Sequence, residues 1–589
     1  MLDFYYKKFI KLYISEKNTL DNNKQGNTEL TNLLIYHLGK IPDYLSLGIR
    51  LIATLFMMNL SLYKFILFLG SKKKIIENLR LSNIALLRNL IRFHDSLFEV
   101  AIGQNIKEIK SNYKKITKDD KLYDFVIIGS GPGGAVSAKE LQKRGYEVLL
   151  LEKGENLSKK NIDPFTYSEM ISKYKNAGVN ITFGGGNIAF VEGMTLGGGS
   201  EVNSGLYHRT PKALLDSWRK TFLLKGKSRK DLEKYFARIE EDLSISYYPK
   251  KSLIPKASLK LEFGAKKLDW NVSEIPRWFK YEKNHSGKKM TMSQTYLKEY
   301  SELGGILYTG ISVNKLIKKG KNWQIEALNN KKSTFFNAKN ILMAAGTIES
   351  PMILKRSNLK TGAGRSFQMH PTVKVVALFD EEVNQEGMGV PVHQVKEFSN
   401  KYSFGCSISS KPYLKMAMLS HRKHKDIVSK KWRKMAIYYV MIIPKSKGKI
   451  VKIPIFNDPL IYYRLAREDK KNLSEGLQLL CKLLFKANAV KLFPCIENIN
   501  PINNVREIKH IPKVLNTVNS NLMTIHLFSS CPIGENRKKC VANSYGKVFG
   551  FSNLFIADGS MIPTAPGVNP QGTIMAFAHS NIDEIVKNL

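Results

Sequence analysis

The chain is short of cysteine, of acidic residues and of long apolar runs, and each shortage excludes something. Its five cysteines, Cys406, Cys481, Cys495, Cys531 and Cys540, show no paired metal-ligand spacing. A zinc ribbon and a dense disulfide framework are both excluded, and the bland reading is reduced thiols inside a cell. His421 and His424 lie in Ser420-His-Arg-Lys-His-Lys425, where the flanking Lys and Arg repel a cation, so no metal site is expected. The apolar stretch at 44–70 is interrupted by Arg50 and Lys64, leaving 13 charge-free residues at 51–63. A membrane span needs about 20. Met1-Leu-Asp-Phe-Tyr-Tyr-Lys-Lys8 lacks the basic region, apolar run and small-residue site of a secretory leader, which points to the cytoplasm.

The shortage of acid leaves 50 Asp and Glu against 92 Lys and Arg, a net charge of +42, yet only 18 of the 92 are Arg. Nucleic-acid readers lean on bidentate Arg, so no nucleic-acid partner is expected. An anionic membrane surface, approached from its inner face, suits diffuse lysine better. With 589 residues, 43% of them hydrophobic, the chain is long enough for at least two domains.

Residues 1–118 read as a helical extension, with apolar residues at helical spacing in Leu79, Ile84, Leu87, Leu90 and Ile91. Buried helical packing accounts for this better than a span, with contact to a membrane surface as the alternative. The charged run at 107–121 reads as a linker.

At Tyr123 the pattern changes. Asp124-Phe-Val-Ile-Ile128 has the continuous apolarity of a buried parallel strand. It runs into Gly129-Ser-Gly-Pro-Gly-Gly134, a helical stretch, and then Tyr146-Glu-Val-Leu-Leu-Leu-Glu152. In this order Gly129 makes the tight turn, Gly131 and Gly133 border the phosphates, and Gly134 lets helix and strand pack closely. The helix N-terminus faces the pyrophosphate, and Glu152 stands where a ribose hydroxyl is held. The fingerprint alone fits NAD as well as FAD.

Four later blocks decide between them. They are Gly193-Met-Thr-Leu-Gly-Gly-Gly-Ser-Glu-Val-Asn-Ser-Gly205, Ala344-Ala-Gly-Thr-Ile-Glu-Ser-Pro351 with Gly364-Arg-Ser-Phe-Gln-Met-His-Pro371, His526-Leu-Phe-Ser-Ser-Cys-Pro-Ile-Gly534, and Asn553-Leu-Phe-Ile-Ala-Asp-Gly-Ser-Met-Ile-Pro563 followed by Gly567-Val-Asn-Pro-Gln-Gly-Thr573. In this order the blocks resemble the glucose–methanol–choline (GMC) family of FAD oxidoreductases, over roughly residues 120–589. The Gly-Val-Asn-Pro ending is closer to the cholesterol-oxidase and long-chain-alcohol branch than to the sugar-oxidase branch.

The resemblance implies an α/β fold. A Rossmann-like FAD-binding domain (119–210, 300–370 and 515–589) is interleaved with a substrate domain on an antiparallel sheet (211–299 and 371–514). It implies a catalytic pair, His526 as base for the hydroxyl proton and Asn569 as hydrogen-bond partner of the substrate oxygen. It also places Gly198, Ser200, Asn203, Ala345, Gly346, Asp558, Gly559, Asn569, Pro570 and Thr573 around FAD. Members that attach FAD covalently carry a His one residue before Asn203; Val202 stands there, so non-covalent FAD is expected. The family commonly follows its active-site His with a Gly-Thr or Gly-Gly pair, and Ser529-Ser530 stands instead, which puts the local turn in doubt. His370 and His579 look structural.

Strand-like segments at Thr372-Val-Lys-Val-Val-Ala-Leu-Phe379 and Met435-Ala-Ile-Tyr-Tyr-Val-Met-Ile-Ile443 would wall the substrate pocket, with Tyr438 and Tyr439 as lesser candidates. Between 411 and 452 stand thirteen Lys or Arg and one acid, Asp426, a basic segment that would suit an anionic bilayer. The expected activity is oxidation of an alcohol group on a lipophilic molecule, sterol-like or long-chain. A flavin-retaining lyase, a light-driven decarboxylase of the same family and a non-catalytic flavoprotein stay open as alternatives. So does the electron acceptor, whether oxygen, a quinone or a carrier protein.

Overall fold

The structure is a computed structural model describing residues 2–17, 24–58, 75–82, 85–101, 119–157, 160, 162–164, 166–424 and 426–589. Most of the linker at 107–121 and the second half of the 44–70 stretch lie outside the described residues.

The first packing unit is a seven-stranded sheet. Its strands β1 (Leu122–Ile128), β2 (Val148–Leu151), β4 (Ile306–Tyr308), β7 (Lys332–Met343) and β14 (Leu554–Ile556) run parallel in the spatial order β4-β2-β1-β7-β14. Parallel strands covered on both faces need apolar residues at every position, which is why β1 and β2 read as unbroken runs. Strands β5 (Ile311–Lys319) and β6 (Asn322–Asn329) extend the sheet as an antiparallel meander through the first half of β7. Helix α6 (Pro132–Lys143) leaves the end of β1 and packs against α12 (Gln571–Lys587).

One expected boundary moves. Residues 211–299 were assigned to the substrate domain, but α8 (Lys212–Phe222) and α9 (Arg229–Asp242) bury Leu215, Trp218, Phe222, Leu232 and Phe236 in the core of this first sheet. Their apolar stripes face α12, so the segment divides between the two domains.

The second unit is a nine-stranded sheet. Here β8 (Thr372–Phe379) pairs antiparallel with β11 (Met435–Ile442), β12 (Ala489–Pro494) and β13 (Leu522–Thr524), and β9 (His393–Val395) and β10 (Tyr402–Ser407) extend it. Strand alternation sorts the side chains of β8. Val373, Val375 and Ala377 pack with Leu473, Leu477 and Leu480 of α11 (Arg467–Lys486), whereas Thr372 and Lys374 face a cavity.

The third unit is N-terminal: α1 (Leu2–Lys17), α2 (Lys24–Leu38), α3 (Asp43–Met58), α4 (Ile75–Leu81) and α5 (Ala85–Ala101). They share a core of Phe9, Tyr13, Ile49, Phe56, Ile91 and Phe98. Among the described residues no helix is long and apolar enough to cross a membrane. Inside the bundle Tyr13 Oη donates to Asp95 Oδ1 at 2.9 Å, and Arg80 Nη2 donates to the same oxygen at 2.9 Å. Arg422 of the substrate domain also pairs with Asp95, and Arg92 with Glu497 at 3.4 Å, so ion pairs dock the bundle onto the second unit. Arg422 belongs to the basic 411–452 segment, which does not form one surface face. Leu414, Met418 and Val428 are buried against Val376 and Phe493, and the segment passes through the central strand β11.

Candidate active site

The β1–α6 turn is shaped by what its glycines cannot carry. A Cβ on Gly133 would stand 1.6 Å from the Ala557 oxygen, and one on Gly134 would stand 1.9 Å from the Gly129 oxygen. Gly129 also sits at φ +104, a conformation that glycine adopts at little cost. Gly131 differs. Its Cβ would meet nothing within 4 Å, although the residue borders a cavity with Pro132 and Gly133 at the N-terminus of α6. Backbone is laid bare there to an open space, as close approach of a pyrophosphate requires.

Glu152, at the end of β2, lines the same cavity. It is fixed by Ser130 N and Oγ on one oxygen, at 2.9 and 2.6 Å, and by Gly154 N on the other at 2.6 Å. The opposite wall holds Ala345 and Gly346 at the start of α10 (Gly346–Arg356), with Asp558, Gly559, Asn569 and Pro570. Asp558 ties this wall together, accepting from Gly346 N at 2.9 Å and from Ser560 N at 2.8 Å. Gly198 brings the second glycine segment against the first, since its Cβ would lie 2.9 Å from Gly131 Cα.

Two expected cofactor residues stand elsewhere. Ser200 Oγ donates to Gly197 O at 2.8 Å and accepts from Met292 N at 3.1 Å. Thr573 Oγ1 pairs with Thr210 Oγ1 at 2.7 Å. Both hydroxyls are buried and serve packing, so neither residue borders the cavity. Asn203 does border it, with its amide bridging Gln571 Oε1 at 3.0 Å and Gly205 N at 3.1 Å. Lys289, which sequence reasoning passed over, donates to the Asn203 carbonyl and steadies this loop. Val202 lines the wall with an aliphatic side chain that offers no attachment atom. Glu192 also lines this cavity and keeps a buried Oε2 without a hydrogen-bond partner. Glu192 Oε2 is ion-paired with Lys175 at 3.7 Å, and the bare backbone at Gly131 with the fixed acid at Glu152 fits a bound FAD.

A second cavity, of about 1010 Å³, lies between the nine-stranded sheet and the N-terminal helices. Ile49 and Ile52 of α3, Phe93 and Leu97 of α5, Phe183 and Met441 make its walls largely apolar. Residues lining both cavities include Tyr174, Val202, Asn203, His526 and Asn569. His526 and Asn569 therefore stand where nucleotide space meets apolar space. Tyr439 lines the larger cavity, whereas Tyr438 is buried with its hydroxyl on Ala257 O at 2.9 Å.

His526 sits in the loop after β13. Its Nδ1 lies 3.1 Å from His370 Nδ1, and its Nε2 lies 3.4 Å from the Asn569 amide. His370 Nε2 accepts from Gly567 N at 2.9 Å. A backbone N–H can only donate, so neutral His370 carries its proton on Nδ1 and gives it to His526 Nδ1. Neutral His526 then holds its own proton on Nε2, and the Asn569 oxygen is assigned to that N–H. Burial and the nearby Lys396 ammonium push the His526 pKa down to about 4, and burial holds His370 well below the ordinary range. The resting His526 is thus neutral and a donor at Nε2. In this tautomer the accepting nitrogen is turned to His370, an arrangement that suits a donor at Nε2 better than the expected base. His370, expected to be structural, positions the ring.

The Gln394 amide lies 3.4 Å from the other end of the Asn569 amide; with the Asn569 oxygen turned to His526, the Gln394 oxygen is the atom that accepts from Asn569 Nδ2. Lys396 Nζ and both ring nitrogens of His208 are buried without hydrogen-bond partners among the described residues. None of Gln394, Lys396 and His208 carried a sequence signal. The replaced glycine pair keeps its turn: Ser529 adopts φ +65, and its hydroxyl donates to Ile562 O at 2.9 Å. His579 is buried away from the site, with Nε2 3.2 Å from Tyr296 Oη. Among the described residues no group of three His, Cys, Asp or Glu could hold a metal ion.

A dinucleotide cradle on a parallel sheet, roofed by an antiparallel sheet and closed by a His–Asn pair, defines a two-domain flavin-dependent oxidoreductase. The sequence pattern described as GMC oxidoreductase matches residues 123–372 and again 455–578, and the chain belongs to that family. It is 35% identical over 470 residues to an uncharacterized GMC-type oxidoreductase, y4nJ, of Sinorhizobium fredii, covering 77% of this chain and 93% of that one. It is 24% identical over 517 residues to the long-chain-alcohol oxidase FAO4A of Arabidopsis thaliana, covering 79% and 69%. Among solved structures, the fold resembles pyridoxine 4-oxidase from Mesorbium loti (TM-score 0.60, 15% identity, 79% of this chain and 99% of that one). It also resembles formate oxidase (TM-score 0.62, 14% identity, 80% and 99%). The chain is an FAD-dependent oxidoreductase, and its N-terminal helices lie outside both matched segments.

Proposed function

We propose that the chain oxidises the alcohol group of a lipophilic molecule, sterol-like or long-chain, at His526 and Asn569. One observation carries the reading: an apolar cavity of about 1010 Å³ ends on this pair, which also borders the nucleotide cavity. Apolar walls of that extent favour hydrocarbon over a sugar. The likeness to a long-chain-alcohol oxidase supports the same substrate class.

Bound FAD, held non-covalently by the glycine turn, Glu152 and the Asp558 wall, supplies the hydride acceptor. The protein's own part is to hold the hydroxyl. A substrate oxygen entering between His526 and Asn569 accepts the Nε2–H of His526 and donates its proton to the Asn569 amide oxygen. This fixes the carbinol carbon and orients its C–H. As hydride leaves, the oxygen gains the acidity of a protonated carbonyl, and its proton goes to a solvent water at this polar junction, the Asn569 oxygen accepting the hydrogen bond and not the proton. The apolar walls keep bulk water from the reacting carbon.

Anaerobic mixing of the holoenzyme with long-chain and short-chain alcohols tests the proposal. Loss of oxidised-flavin absorbance should be fast with the long chains. No reduction by any alcohol overturns it. The net charge of +42 and the exposed α3 residues Leu47, Leu51 and Met58 support docking on an anionic membrane. Failure to co-sediment with anionic vesicles at low salt would refute that part.

A further inference from the structure

Lys374 is the anomaly of the larger cavity. It follows Thr372 on the cavity face of β8, opposite Tyr439 of β11 and near the Cys495 thiol, in a wall that mixes Met441 and Met523 with uncharged polar side chains such as Asn521. No hydrogen bond or ion pair reaches its ammonium from any described residue. The acids nearby are already taken: Glu497 pairs with Arg92, which shares this cavity, and Asp95 pairs with Arg80 and Arg422. Arg88 adds a further cation beside Arg92, with its guanidinium turned to the Ser82 carbonyl. Positive charge therefore exceeds negative charge at this end. An unpaired ammonium in apolar surroundings is costly to keep, and a ligand anion would offset that cost.

Lys374 lies four strand residues beyond His370, whose ring holds His526, which puts the two Cα atoms about 13 Å apart. A chain with its hydroxyl at His526 that runs along β8 would thus pass Lys374, in the cavity that Arg92 also lines.

We propose that the preferred substrate is an amphiphile carrying an anionic head group, such as a carboxylate, at the end remote from its alcohol, with Lys374 as the head-group contact. The inference rests on the lipophilic-alcohol reading and narrows it. A charge-assisted hydrogen bond of this kind shifts affinity by roughly 10- to 100-fold.

The test compares n-dodecanol with ω-hydroxydodecanoate on the FAD-loaded enzyme, and separately titrates dodecanoate, which has no hydroxyl, by calorimetry. The hydroxy acid should show kcat/KM higher by roughly 10- to 100-fold. Lys374→Met should remove that preference while leaving n-dodecanol oxidation near the parent rate, and should weaken dodecanoate binding by the same factor. Lys374→Arg should rescue both. Equal kcat/KM for the two substrates, or dodecanoate binding indifferent to Lys374→Met, overturns the proposal. If neither alcohol reduces the flavin yet dodecanoate binds through Lys374, the anion subsite stands and the alcohol-oxidation reading falls.

Discussion

Replacing His526 by glutamine and by alanine separates two mechanisms that a single substitution would confuse. The Gly567–His370–His526 chain leaves Nε2–H facing Asn569, and the proposed mechanism uses His526 as a donor to the substrate oxygen. Glutamine places an amide N–H close to the same point, whereas alanine leaves none. Loss of one positioned donor to a developing charge costs about 10²–10³-fold, and His526→Ala should fall in that range. His526→Gln should stay within about tenfold of the parent, because an amide restores the hydrogen bond without the imidazole. A general base makes the opposite demand: an amide is no base, and both variants would drop about 10²–10⁴-fold. The assay is single-turnover anaerobic reduction of bound FAD by a long-chain alcohol, with flavin content measured first to show that both variants retain the cofactor. Glutamine as slow as alanine would refute the tautomer assignment.

Gly131→Ala should leave the fold intact, since its Cβ meets nothing, but lower FAD affinity by about tenfold or more by filling the phosphate approach. Gly133→Ala, whose Cβ would overlap the Ala557 carbonyl, should unfold or lose several °C of Tm even without FAD; equal melting of both variants would contradict the packing. Acid precipitation should release yellow FAD into the supernatant, and colour kept in the pellet would show a covalent bond that Val202 does not explain. Burial lowers the pKa of His37, His94 and His526 to about 4 from an ordinary 6.5. The unfolded chain therefore binds protons first, so stability is complete above about pH 6.5 and drains away as pH falls towards 4. A Tm unchanged over that window would show that these rings are solvated. Over the same window the flavin-reduction rate should show no ionisation near 6.5.

The glycine turn and the His526–Asn569 meeting point were legible because they depend on local order: strand, turn and helix in register, and motif residues in fixed sequence. The parallel core was legible for a related reason, since burial on both faces leaves an unbroken apolar signature in β1 and β2. The assignment of α8 and α9 was not. An amphipathic helix states which face it buries but not against which sheet, and only the docking against α12 settles that. His208, Gln394 and Lys396 were invisible because they converge on His526 from distant segments and only tertiary packing makes them neighbours. Lys374 left a faint trace. In Thr372-Val-Lys-Val it shares the parity of Thr372 and breaks the apolar alternation, a sign that this face of β8 does not enter a hydrocarbon core. The proton on His526 Nε2 had no trace at all, because it follows from one backbone N–H at Gly567.

The helices at the N-terminus close around their own hydrophobic centre and still lend α3 and α5 to the large cavity. Part of the chamber wall and the His–Asn pair are thereby written in separate stretches of chain. Drift in the bundle can reshape the chamber, lengthen it or change its polarity without disturbing a single contact of the His–Asn pair. The same separation ties admission to assembly: if the Asp95–Arg422 and Arg92–Glu497 clasps open, the chamber loses a wall while the flavin cradle stays whole. One wall of the chamber is therefore an exchangeable part, carried by a segment outside both matched domains, while β8 and β11 supply the facing wall.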